Sequence, residues 1–157
     1  MTPGNNDPEE PFGGRSDSVG VQQDLFKFLS QETRHKIIQR ILGHPDHLIS
    51  MTELTYMTSE AEDAIRQQLD ILLEADLIDV YEQPENADVR ERPVEFYGFT
   101  EYGVRILDQY NYLAGLGAER ALYDKTSKSE IVQRHQEAPR PALPDIVNTA
   151  LTFEDSI

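Results

Sequence analysis

Three consecutive side chains near the middle of the chain, Arg66, Gln67 and Gln68, end in planar hydrogen-bonding groups. An arginine can grip the acceptor edge of guanine with two bonds, and a glutamine can match adenine in the same way. A second group, His44-Pro45-Asp46-His47, sets two imidazoles beside a carboxylate, the donor types of a zinc or nickel site. Its spacing alone defines no ligand geometry and its proline restricts the loop, so the residues read as a polar connection between helices, with no metal. The absence of cysteine excludes disulfides, thiolate metal sites and cysteine nucleophiles. No nucleophile–base pair, phosphate loop or carboxylate pair rises above an acid-rich background. Neither an enzyme nor a cofactor is expected.

The elements that carry these residues follow from local pattern. Residues 1–20 hold four glycines and three prolines among acids and read as a disordered acidic arm. Ser30 is a candidate N-cap for a helix with Ile37, Ile38, Ile41 and Leu42 on its apolar face, closed by Gly43 and Pro45. Residues 51–57 suit a two-turn helix capped by Ser50 or Thr52, and Thr58 and Ser59 break it. The next helix is expected over 60–75. With Leu69 at the centre of its buried stripe, Ile65, Leu72 and Leu73 fall within about 60°. Glu60, Asp63, Ala64, Gln67, Ile71 and Glu74 then face outward, with Arg66 and Asp70 on the flanks. Runs 78–82 and 94–99 alternate around a polar loop at 84–92, as a β-hairpin does. A long helix is expected over 101–124, then a C-terminal extension, 125–157, with a short helix near 129–137 and a proline-rich tail.

Helix, short helix, longer helix, hairpin and long helix, in that order, give a mainly α fold with a small β-hairpin. The organisation is that of a winged helix-turn-helix with an added C-terminal helix, its winged part spanning residues 21–100. The run Leu29-Ser30-Gln31-Glu32-Thr33-Arg34-His35-Lys36-Ile37-Ile38 resembles the opening segment of ArsR-like regulators. Ile65-Arg66-Gln67-Gln68-Leu69-Asp70-Ile71-Leu72-Leu73-Glu74-Ala75-Asp76-Leu77-Ile78 resembles their recognition-helix signature, with Asp76 where that family usually has glycine. Phe96-Tyr97-Gly98-Phe99-Thr100 resembles the strand that closes the wing. The resemblance implies a transcriptional regulator of double-stranded DNA, with Arg66, Gln67 and Gln68 at the reading positions. Ser59, Arg34 and the wing arginines Arg90 and Arg92 are further candidate DNA contacts. It also implies a homodimer joined through the long helix. Ala114, Gly117, Ala118 and Ala121 recur there at helical spacing and permit close approach, with Leu107, Tyr110 and Leu113 filling the interface.

Charge complicates this expectation. The formal net charge is −15 and lysine occurs four times, at Lys27, Lys36, Lys125 and Lys128. Glu60, Asp63 and Asp70 put negative charge where phosphates would lie. Acidity spread over the chain with little lysine resembles proteins of a hypersaline cytoplasm, where salt screens self-repulsion and counterion release adds little to DNA affinity. A cytoplasmic location and no membrane span are expected. The alternative is a winged-helix module that docks another protein and does not bind DNA directly.

Overall fold

The computed structural model describes residues 27–29, 31–115, 118, 120, 121 and 130–155. The expected arm at 1–20 and Gly117 lie outside them.

Helix α1 (Glu32–Gly43) opens one residue later than the Ser30 cap implied. The Gln31 side chain takes the cap role and accepts from the Arg34 backbone N–H at 2.8 Å. Its apolar face buries Ile37, Ile38, Ile41 and Leu42, as the spacing indicated. Helix α2 (Met51–Thr58) starts at a complete capping box: Ser50 Oγ receives the Glu53 N–H, and the Glu53 carboxylate receives the Ser50 N–H. Ser59 ends it in the left-handed conformation, φ 58°.

Helix α3 (Glu62–Glu74) is shorter than expected at its start, because its N-cap Ala61 is extended and Glu60 lies outside the helix. Ile65, Leu69 and Leu72 are buried, whereas Leu73 packs against the core only in part. Asp76 follows with φ 62°, the backbone conformation that glycine supplies in the ArsR-like pattern. Aspartate is among the few other residues that enter this region readily.

Strands β1 (Ile78–Glu82) and β2 (Glu95–Phe99) form the antiparallel hairpin, with Ile78 opposite Phe99 and Glu82 opposite Glu95. Ile49 exchanges two backbone hydrogen bonds with Tyr97 at 3.0 and 2.8 Å, adding a one-residue third strand just before α2. The hairpin loop contains a 3-10 turn, Pro84–Asp88, with Asn86 buried inside it. Helix α4 (Glu101–Gln109) starts at the Thr100 cap, pressed against the entrance of β1. A methyl group at Gly103 would stand 2.0 Å from the Leu77 carbonyl oxygen, so only glycine fits there.

The long helix expected over 101–124 is not formed. Helix α4 stops at Gln109, Asn111 turns left-handed with φ 64°, and a 3-10 turn follows at Tyr112–Gly115. The break places Leu113 in the core and lets the Tyr112 hydroxyl reach His35 Nδ1 on α1 at 3.0 Å. Helix α5 (Glu130–Glu137) matches the short helix anticipated near that position. The proline-rich end is not a tail, however. It leads into α6 (Asp145–Asp155), whose Val147 and Leu151 are fully buried in the core shared with Val104 and Leu107.

Candidate nucleic-acid interface

Helices α2 and α3, joined by the tight turn at Ser59, form the helix-turn-helix, and the β1–β2 hairpin is its wing. On α3 the side chains of Glu62, Asp63, Arg66, Gln67, Asp70 and Glu74 are exposed. Arg66 and Gln67 are therefore presented where a groove could receive them. Arg66 donates to the Glu62 carboxylate one turn earlier at 3.0 Å, a hydrogen bond that raises its already high pKa. It also borders a shallow groove of about 360 Å³ between α3, the start of α2 and the stem of the wing, walled by Thr52, Glu95, Tyr97 and His135 among others.

Gln68 and Arg34 do not share that face. Gln68 Oε1 accepts from Arg34 Nε at 3.1 Å, and Arg34 also donates to the Phe28 carbonyl at 2.7 Å and lies 4.2 Å over the Phe28 ring. Burial lowers the Arg34 pKa. The two residues form a clasp between α1 and α3. Helical geometry explains this: Gln68 is next to Leu69, and one position of rotation carries it toward the buried stripe.

One of the opposing carboxylates is also diverted. Glu60 accepts from Thr33 Oγ1 at 2.8 Å and so is tied to α1. Ser59 is exposed at the turn, and Arg90 and Arg92 are exposed on the wing loop. The candidate contacts that stay exposed are thus Arg66 and Gln67 on α3, Ser59 at the turn and the two wing arginines.

The residues foreseen as a dimer face are divided. Leu107 and Leu113 are buried in the molecule's own core, and Tyr110 packs against it. Ala114 falls in the 3-10 turn, and Ala118 and Ala121 are exposed. The break after Gln109 removes the continuous helical stripe on which that face depended.

Behind the interface lies a polar cluster whose assembly had no local sequence signal. His44 and Glu53 are fully buried, with His44 Nε2 2.7 Å from Glu53 Oε2. The Asp46 backbone N–H donates to His44 Nδ1 at 3.0 Å, so the neutral ring carries its proton on Nε2 and gives that hydrogen bond to Glu53. Burial lowers the His44 pKa. Burial alone would raise that of Glu53, but the His44 hydrogen bond and the Arg140 charge outweigh it and hold the carboxyl below its ordinary range. Arg140, from the proline-rich segment, forms a buried ion pair with Glu53. Among the described residues no group of three or more His, Asp or Glu side chains is arranged to hold a metal ion. The Ser50-Met51-Thr52-Glu53 spacing signals the capping box, but nothing near Arg140 in sequence points to Glu53.

No protein-family model matches the chain, and no curated protein matches it. Among solved structures it is similar to a protein with a GntR superfamily winged-helix-turn-helix domain from Halomicrobium mukohataei. The identity is 22%, the TM-score is 0.73, and the match covers 88% of this chain and 96% of the other. That neighbour carries a GntR-superfamily domain, so the ArsR-like subtype gains no support from it. Two helices joined by a tight turn, a following hairpin and this likeness along most of the chain identify the fold as a winged helix-turn-helix.

Proposed function

We propose that the protein is a sequence-specific, double-stranded-DNA-binding transcriptional regulator with no catalytic role, acting as a homodimer in a high-salt cytoplasm. The observation that carries this reading is the exposure of Arg66 and Gln67 side by side on α3, with Arg90 and Arg92 exposed on the adjoining wing. Helix α3 enters the major groove, where Gln67 and Arg66 meet base edges, while the wing arginines meet the backbone or minor groove. The likeness of residues 65–78 to ArsR-like recognition helices supports the same reading.

The net charge of −15 and the scarcity of lysine support the high-salt setting. No helix of the described residues is long and apolar enough to cross a membrane. For the homodimer, the supporting surface is no longer a long helix. Ala118 and Ala121 are exposed, and Ile146 on α6, 58% exposed, borders an apolar groove with Val104 and Ala150. Light scattering in concentrated KCl tests this part, and a monomeric mass rejects it.

Genome-wide immunoprecipitation of the tagged protein, beside Gln67→Ala and Arg92→Ala variants, tests the regulator. Discrete enriched sites that the variants lose are expected. Binding to such a site should persist from about 0.1 M to 2 M KCl, because base contacts and not counterion release hold it. The second reading, a protein-docking module, is favoured by the exposed carboxylates of Glu62, Asp63, Asp70 and Glu74 on the same helix. An absence of enriched sites would select it.

A further inference from the structure

Segment 130–140 touches α2, the strand before it, the wing loop and β2. His135 Nδ1 is hydrogen-bonded to Ser50 Oγ at the cap of α2, 3.0 Å away. Arg134 is ion-paired with Glu91 in the wing loop. The Pro139 carbonyl accepts from Nδ2 of the buried Asn86 at 2.8 Å, while the same amide group donates to the Pro93 carbonyl across the loop at 2.9 Å. The wing loop is thus pinned at two points to a stretch of chain some fifty residues later.

Arg140 anchors the segment that makes these connections. Its side chain is only 5% exposed. Nη1 donates to the Gln136 and Ala138 carbonyls, both at 2.8 Å, which fixes the guanidinium on its own segment. Nε donates to the Leu48 carbonyl at 2.9 Å, next to the one-residue strand that pairs with β2. Nη2 is paired with the Glu53 carboxylate on α2. The plane lies 4.7 Å over the ring of Phe96 in β2. One rigid, five-donor group therefore contacts α2, the strand before it, the wing stem and the C-terminal segment together.

We propose that Arg140 is the positioning residue of the winged surface: it sets the wing loop, residues 83–94, against α2, so that segment 130–140 governs DNA affinity without touching DNA. The DNA half of this statement rests on the function proposed above. The geometric half does not. Lysine cannot replace the group, since an ammonium can neutralise Glu53 but cannot also fork to the Leu48 carbonyl and lie flat on Phe96.

Amide hydrogen exchange across residues 83–94, thermal unfolding and DNA binding, measured on full-length Arg140→Lys and Glu53→Gln/Arg140→Met proteins in concentrated KCl, test the proposal. The double variant removes both buried charges, so its melting temperature should recover most of what Arg140→Met alone loses. Its wing amides should nonetheless exchange at least about tenfold faster than those of the wild type. Arg140→Lys, which keeps the charge but not the fork, should loosen the wing in the same way. DNA affinity should fall at least about tenfold in both as the contacts of Arg90 and Arg92 are lost. Wild-type wing exchange in either variant overturns the proposal and leaves Arg140 as a stabilising ion-pair partner only. A loosened wing with unchanged DNA affinity overturns its DNA half. If the wild type itself binds no DNA, the proposed function and that half fail together, and wing exchange alone decides the geometric half.

Discussion

Two of the arginine–carboxylate pairs among the described residues lie in opposite surroundings. On the open face of α3, Arg66 meets Glu62 at 3.0 Å, with both side chains more than half exposed. Beneath α2, Arg140 meets Glu53 with side-chain exposures of 5% and 0%. The same chemistry serves different ends. Water and salt screen the first pair, so it adds little to stability and leaves the arginine free to change partners. The second pair has lost its hydration, so its two charges depend on each other and on the surrounding hydrogen bonds. The reading face is assembled from groups that can be given up to a ligand, whereas the scaffold beneath it is assembled from groups that cannot.

The largest break in this comparison is Arg140→Met. It leaves the Glu53 carboxylate buried without its cation and should cost about 3–5 kcal/mol of stability, measured by denaturant unfolding. Raising KCl should not lessen that cost, since the pair is out of reach of the solvent ions.

Acid should give a smaller, graded effect. The His44 pKa is lowered in the folded state, so the unfolded chain binds the extra proton first and stability falls as pH drops below the ordinary imidazole value of 6.5. The Glu53 pKa is lowered too, so its contribution is complete above the ordinary carboxyl value of 4.5 and is lost below it. His135, beside Ser50, has its pKa lowered by burial and adds to the first phase. A plot of melting temperature against pH should decline in these two stages, and His44→Gln should flatten the upper one. An unchanged upper stage in that variant would place the titration elsewhere.

The smallest effect sharpens the other side of the comparison. Glu62→Gln should change stability by less than about 0.5 kcal/mol. If it proves as costly as Arg140→Met, the distinction between the two regions collapses.

Much of the candidate site was legible before any contact was known. Gln67 is exposed because it lies opposite Ile65, Leu69 and Leu72, and Arg66 is exposed on the flank of that stripe, relations contained in helical periodicity. Gln68 is a reading position only by the ArsR-like resemblance, since helical periodicity leaves it off the outward face. It sits at the edge of the buried stripe, and the direction of its amide was settled by Arg34, 34 positions earlier on another helix. The residues foreseen as a dimer face are divided because the chain turns at Asn111: Leu107 and Leu113 enter the core, while Ala118 and Ala121 lie exposed beyond the break.

The amino-acid sequence by itself determined the order of the three N-terminal helices, the hairpin and the short helix near residue 130. Each depends on a repeat of apolar positions or a cap within a few residues of chain. Only the tertiary structure decided where α4 stops, that α6 closes the core, and that Arg140 lies against Glu53, 87 positions away. These outcomes follow from burial. Leu113, Val147 and Leu151 complete one apolar core, and a carboxylate enclosed at the start of α2 requires a cation that local spacing could not supply.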